Sequence, residues 1–396
     1  MNVKTVHKKN GIKARRCAVA LAAAWCCVPG WAQVTTNTVS ETPPASATPN
    51  PGTDDAGVGQ MPVVVITATR GSKAVDKIPG AVSVITRKEL DEQLGVAEDL
   101  SAVLAAQIPG YAPSTQKLSS AGESMRGRAA LILFDGIPQS NPLRAGSREG
   151  YFADPLLIER IEVVSGPSAV QGLGATGGII NYISRTPRKE GTTHTVDAKF
   201  STQGRSEDSS GHDAFVKLGW RVTPSQRLQA SYNHFSVAGD GDWTRVDGDR
   251  ATGLTTSAQK GGSVLGEPPR NDVRTSSLEW THADLAGGMA SVQLYKQDFR
   301  SLYGAGNFAN FQDASIAPSG TLVDQSDIVA DKKGLRASWV RPDLGLTGLE
   351  FTGGLDWLAD TSKQRLALTD RDWVPPLQFQ SLAPFAQLEY EFGDFT

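Results

Sequence analysis

The sequence predicts a small N-terminal α+β domain followed by the antiparallel strands of a transmembrane β-barrel. Three observations carry that reading. They are an export leader, a change near Pro187 from mixed to strictly alternating hydrophobicity, and connections that alternate between short and long.

The chain opens MNVKTVHKKNGIKARRCAVALAAAWCCVPGWAQ. Six basic residues (Lys4, Lys8, Lys9, Lys13, Arg15, Arg16) precede the apolar run Cys17 to Val28, then Pro29 and the small pair Gly30 and Ala32. This is the order of a secretory signal peptide, placed at 1–32 with cleavage after Ala32. The run is shorter than the about 20 residues of a membrane-spanning helix, so export outweighs an anchor. Neither Cys26 nor Cys27 has the context of a lipidated cysteine. All three cysteines fall in the leader, so the mature chain holds no disulfide and no thiolate metal site. Loss of the leader's six basic residues leaves 33 basic against 42 acidic ones, a net charge of −9. That balance argues against a nucleic-acid partner, whose phosphates need clustered Lys and Arg. No second long apolar run exists, so any membrane crossing must use strands.

Residues 33–60 are rich in Thr, Ser, Pro and Gly and cannot bury enough surface to offset ordering entropy, so they read as a flexible linker. The linker ends at MPVVVITATR, residues 61–70, a strong strand former with a proline at its edge. It is either the next domain's first strand or, at the end of a tether, a strand offered to a partner for β-augmentation.

Residues 71–187 read as the small mixed domain. GAVSVIT is a strand, and Thr86 with Glu89 forms a capping-box pattern opening a short helix. Leu100, Val103 and Leu104 give a second helix its apolar face, stopped before Pro109-Gly110. AALILFDGIP is a buried strand ending in an Asp135-Gly136 turn. Asp154 and Pro155 start a helical turn that runs into the strand Ile161 to Val164. The glycines of SGPSAVQGLGATGGIINYIS match G-x-G-x-x-G at Gly172, Gly174 and Gly177. A dinucleotide site needs a helix there, whereas IINYIS reads as a strand. Glycine here serves tight turning and close backbone approach.

Residues 188–396 alternate with period two. In AFVKLGWRV, Ala214, Val216, Leu218, Trp220 and Val222 share one face against Lys217 and Arg221. About eight strands are expected, near 193–201, 212–222, 226–237, 273–283, 289–300, 333–341, 348–362 and 382–392. Tight connections such as TPS and DLAGG alternate with long polar segments near 238–272 and 301–332, as in outer-membrane barrels.

The order of pieces resembles a TonB-dependent outer-membrane receptor of the siderophore-receptor type. VVVITATR resembles the TonB box and the residues just after it. RGRAALILFDGIP, with Arg126-Gly127 and Asp135-Gly136, resembles a plug motif. IERIEVVSGPSAVQGLGATGGIINYISRTP resembles the family's most specific plug signature, from Glu159-Arg160-Ile161-Glu162 to Asn181. The resemblance implies an α+β plug domain followed by antiparallel transmembrane β-barrel strands in a Gram-negative outer membrane. Such barrels have about 22 strands, so about eight imply a receptor truncated within its barrel. Eight strands closed alone would leave no room for the plug.

The resemblance further implies energised import of a scarce ligand, most often a ferric siderophore, with cobalamin, haem or a glycan as alternatives, or else a non-functional fragment. TonB, with ExbB and ExbD, would pull on Val63, Val64, Val65, Ile66 and Thr67. On loops expected to face outward, Tyr111, Gln116, Arg144, Arg148 and Tyr151 suit an anionic, aromatic iron chelate, or are ordinary solvated residues. Arg126, Glu159, Arg160 and Glu162 either lock plug to barrel or pair within the plug. No enzyme constellation, resident cofactor or metal site is expected. The five histidines are isolated, GDGDWTRVDGD departs from EF-hand spacing, and SGPSAV lacks a nucleophile elbow. A passive porin would need neither the plug signature nor the VVVIT segment.

Overall fold

The computed structural model describes residues 81–96, 99–114, 122–140, 152–168, 174–186, 209–239 and 266–391. It also describes Val65–Ile66, Arg70, Lys73–Ala74, Leu143, Gln171, Trp243–Val246, Ala251, Gly253 and Ser257–Lys260. All belong to one compact unit, Gln60–Thr396. The leader, the linker and the strand expected near 193–201 lie outside the described residues.

In chain order the first part contains β1 (Val65–Ile66), β2 (Lys73–Ala74), β3 (Ala81–Ile85), α1 (Arg87–Leu94) and α2 (Leu100–Gln107). It continues with β4 (Tyr111–Ala112), β5 (Ser124–Met125), β6 (Ala130–Phe134), β7 (Ile137–Pro138), β8 (Ile158–Ser165) and β9 (Gly178–Ser184). A five-stranded sheet of order β3-β8-β9-β6-β7 carries this domain, with β6 and β9 parallel and the other pairs antiparallel. The expected capping box is present. Thr86 caps α1 through the Glu89 N–H, and the Glu89 carboxylate accepts from the Thr86 N–H at 2.7 Å. Asp99 caps α2 by accepting from the Ser101 N–H at 3.0 Å.

Both helices pack their apolar sides on the sheet. Leu90, Val103 and Leu104 are fully buried with Ile132, Phe134, Ile161, Val163 and Ile180. Each such side chain contributes about 1.5–3 kcal/mol on burial. The unbroken apolar run of β6 follows from cover on both faces: Ile132 and Phe134 pack in the core with the helices, and Leu131 and Leu133 pack with Ala175 and Ile179.

The second part is a seven-stranded antiparallel sheet. Its strands are β10 (Ser209–Thr223), β11 (Gln226–Gly239), β14 (Arg270–Leu285), β15 (Gly288–Leu302), β16 (Ser326–Arg341), β17 (Leu349–Leu366) and β18 (Arg371–Tyr390), in that order. A side hairpin of β12 (Trp243–Val246) and β13 (Ser257–Lys260) occupies the long segment between β11 and β14. Among the described residues the sheet does not close, and β10 and β18 are its edges. β18 starts eleven residues before the strand expected at 382–392, and its link to β17 is the tight turn 367–370. Pro375 and Pro376 fall at the register shift where Ser362 pairs with Leu377 and Gln364 with Val374, a break in the ladder that tolerates missing N–H donors.

One face of this sheet is apolar and exposed. Leu218, Ala230, Leu278, Leu294, Leu335, Trp357 and Leu382 are consecutive cross-strand partners over all seven strands. Leu218 is 65% exposed and Trp220 64%. Such a row fits lipid, not water. Four residues along each strand the same face turns polar, through Ala214, His234, Arg274, Asp298, Asp331, Thr361 and Gln378. The opposite face holds the α+β domain, whose apolar core extends onto Phe215, Val273 and Phe299 of the sheet.

Candidate functional site

The site is the contact between the α+β domain and the inner face of the sheet. The Asp135-Gly136 turn between β6 and β7 takes positive φ at both residues, +46° and +80°, which Asp and Gly tolerate best. The Asp135 carboxylate accepts from the Ser184 N–H at 2.9 Å, from the Ser184 hydroxyl at 2.6 Å and from Lys217 Nζ of β10 at 3.2 Å. Lys217 also donates to Ser184 Oγ at 2.8 Å. Gln293 Nε2 of β15 donates to the Asp135 carbonyl at 2.9 Å. Within the domain, Asn181 Oδ1 accepts from the Gly136 N–H at 3.1 Å, so the turn is fixed from both sides.

Beyond the turn, Lys332 of β16 is 3% exposed and donates to the carbonyls of Pro138 at 2.9 Å and Ser140 at 2.5 Å. Gln297 donates to Gln139 Oε1 at 2.7 Å, and Asn233 to the Phe152 carbonyl at 2.7 Å. The Asp213 carboxylate accepts from the Asp154 N–H at 2.7 Å. Hydrogen bonds to charged groups contribute about 1.5–3 kcal/mol each, so the docking is strong in sum yet made of separable pieces.

A second node lies near the N-terminal strand segment. Both Arg70 guanidinium nitrogens donate to the Asp356 carboxylate of β17, Nη1 at 2.8 Å, and the guanidinium sits 5.0 Å above the Phe385 ring. The Arg70 carbonyl accepts from the Ser338 hydroxyl at 3.3 Å. Arg336 of β16 places Nε 3.7 Å from Asp356 Oδ1 and donates through Nη2 to Gln171 Oε1.

The glycine-rich stretch proves to be a packing device. A Cβ on Gly177 would lie 2.8 Å from the Arg128 carbonyl oxygen, and one on Gly178 (φ +145°) 2.7 Å from Met125 Sδ. Gly172 lies outside the described residues.

The expected site residues fall in several places. Val65 and Ile66 form a two-residue strand paired with Lys73–Ala74, while Val63, Val64 and Thr67 lie outside the described residues. Tyr111, expected on an outward loop, is instead 8% exposed in the domain core, its hydroxyl 3.3 Å from Ser101 Oγ. Gln116, Arg144, Arg148 and Tyr151 lie outside the described residues. Arg160 and Glu162 pair with each other at 2.7 Å along one strand, a contact within the domain. Glu159 accepts from the Thr186 N–H at 3.1 Å, and Arg126 is exposed at the turn after β5. The sheet side chains that join the two parts include Lys217, Asn233, Gln293, Gln297, Lys332, Arg336 and Asp356, which the alternation marks only as polar-face positions.

Residues 74–179 match the family model of the TonB-dependent receptor plug domain. The chain carries a TonB-dependent receptor plug domain. It is similar to a ferric aerobactin receptor of Klebsiella pneumoniae, 33% identical over 199 residues, which is 49% of this chain and 26% of that protein. It is also similar to a rhizobactin receptor of Rhizobium meliloti (strain 1021), 33% identical over 136 residues, 34% of this chain and 18% of that protein. A solved mutant of the ferric enterobactin receptor from Pseudomonas aeruginosa, in complex with enterobactin, gives a TM-score of 0.57 at 18% identity. That match covers 80% of this chain and 57% of the solved one, and shows the fold alone. The matched stretches thus span about a quarter of the aerobactin receptor's length and less of the rhizobactin receptor's. In family terms the α+β domain is the plug and the seven strands are barrel wall.

Proposed function

We propose that this chain is the plug and adjoining wall of an outer-membrane receptor that binds a ferric siderophore outside the cell and imports it with energy delivered by TonB. The observation that supports this best is a family-matched plug docked on the polar face of a sheet whose other face is a lipid-suited apolar row. The relatives whose names specify aerobactin and rhizobactin make a ferric siderophore the favoured cargo over cobalamin, haem or a glycan. TonB, driven by ExbB and ExbD, would take the segment Val63 to Thr67 as an added strand, with about 1 kcal/mol per backbone hydrogen bond giving a reversible grip. Gln116, Arg144, Arg148 and Tyr151 remain the proposed ligand contacts. Tyr111 would act only indirectly, from within the plug core.

The test is uptake of radiolabelled iron by a receptor-deficient Gram-negative strain expressing the receptor, with and without TonB. Ferric aerobactin, ferric enterobactin and labelled cobalamin are the trial ligands. Import of a ferric siderophore that vanishes without TonB supports the reading. Import independent of TonB, or of cobalamin alone, overturns it. A cysteine replacing Val65 that never crosslinks to TonB would likewise count against it.

A further inference from the structure

Arg336 meets two partners at once and lies beside the Asp135-Gly136 turn. Its Nε lies 3.7 Å from Asp356 Oδ1, and its Nη2 donates to Gln171 Oε1 at the head of the glycine loop. A Cβ built on Gly136 would stand only 3.4 Å from its Nη1. Asp356 is simultaneously held by the two-pronged guanidinium of Arg70, close behind the segment TonB is proposed to pull. The three charged side chains are 5% (Arg70), 17% (Asp356) and 8% (Arg336) exposed. Two cations therefore share one carboxylate in a place with little water. The nearer cation has the better geometry, and the farther one spends Nη2 on a neutral amide.

We infer that Arg336 is a coupling residue for import: when Arg70 leaves Asp356, Arg336 closes on Asp356 and withdraws its hydrogen bond from Gln171. A largely buried carboxylate stripped of its partner draws the nearest cation, because charge in low dielectric is stabilised far more by an ion pair than by leaving it bare. Arg336 needs to close only the gap between 3.7 Å and hydrogen-bond distance. Nε then bonds the carboxylate, and the shift of the rigid guanidinium carries Nη2 off the Gln171 amide oxygen, the weaker of the two bonds. The wall thus remains electrically satisfied while the plug's glycine loop loses a contact. Load applied at residues 63–67 reaches residues 171–177 without passing along the plug sheet. This inference rests on the import reading for its physiological direction, but the exchange itself requires no TonB.

The mature chain has no cysteine, so a single Thr176→Cys on the exposed rim of the loop takes a nitroxide label cleanly. Electron paramagnetic resonance on the assembled receptor in detergent, without TonB, then reports the loop's mobile fraction. Arg70→Ala should raise the mobile-to-immobile ratio roughly tenfold, the worth of one charge-assisted hydrogen bond. Adding Asp356→Asn should return it to the parent value, since nothing then draws Arg336 away from Gln171. General loosening predicts the opposite, a double variant as mobile as the single one or more so, and that result overturns the inference. An unchanged spectrum in Arg70→Ala overturns it too. Should Arg70→Ala fail to assemble, Arg70→Lys, which keeps the charge but loses the fork, must show a smaller rise that Asp356→Asn again reverses. Failure of TonB crosslinking at Val65 beside a positive exchange would remove the import reading and leave the coupling standing.

Discussion

Lys217 on the wall and Asp135 on the plug meet at 3.2 Å with side chains 5% and 12% exposed, and both also engage the Ser184 hydroxyl. This pair joins the first strand of the described wall to the tightest turn of the plug.

Removing the cation should therefore cost more than the pair is worth. Lys217→Met leaves Asp135 buried with only Ser184 as a partner, a loss of about 3–5 kcal/mol for breaking a buried pair from one side. Hydrogen exchange on the amides of Leu131 to Phe134 measures it, with faster exchange expected in the variant. Unchanged protection would show that the pair does not hold the plug.

The glycine loop makes a steric prediction. Gly178→Ala places a Cβ against the Val164 carbonyl and Met125 Sδ at a φ of +145°, where side chains are strained regardless of space. We expect a loss above about 2 kcal/mol, or failure to assemble. Gly166→Ala, also at positive φ but with nothing within 4 Å of its Cβ, should cost only the backbone strain. Denaturant midpoints compare the two, and equal losses would refute the packing argument.

The cap of α2 sets a pH dependence. Burial raises the Asp99 carboxyl above its ordinary value of 3.8, outweighing the hydrogen bonds from Ser101 and Ser114 that lower it. The folded plug thus holds this proton more tightly than the unfolded chain. The stability it contributes is complete below 3.8 and is lost as pH rises through the higher folded value. Asp99→Asn keeps the cap without the buried charge, so it should raise the urea midpoint at neutral pH and lose that advantage in acid. Asp99→Ala forfeits the cap, about 1 kcal/mol, at both. A gain for Asn that grows in acid would reverse the assigned sign.

The apolar row makes a prediction about lipid. Leu294→Arg should cost about 2–4 kcal/mol if its row lies near the bilayer midplane. Asp298→Arg, four residues along the same strand in the polar row, should cost far less. Folding yield into lipid vesicles decides, and equal yields would place the row outside the hydrocarbon.

Much of this architecture is legible in local chemistry. Thr86 with Glu89, the Asp135-Gly136 turn and the alternation of Val216, Leu218 and Trp220 each encode their element within a few residues. The first half of β18 escapes such a reading because its prolines sit at a register shift against β17, and a register is a property of the sheet, not of the segment. The start of β16, SDIVADK, escapes it because apolar Ile328 and Ala330 share the buried inward face with Lys332, which blurs the alternation. The docking residues are illegible for a related reason. Lys217 and Asp135 are 82 positions apart, and nothing local marks which polar residue of a strand will meet which turn. Tyr111 reads as a loop residue because the polar composition around it conceals a buried anchor at the loop's base.

The five-stranded plug sheet also implies an order of dismantling. β3 lies at one edge, holds a single neighbour through five paired residues, and is the strand of this sheet nearest in sequence to the segment offered to TonB. β9 sits between two neighbours, and its backbone is packed against residues 125, 128 and 129 through Gly177 and Gly178. A molecule pulled from its N-terminus thus surrenders this edge strand first and keeps the strand that carries its family signature longest. It can open partway and still retain the template on which to close again.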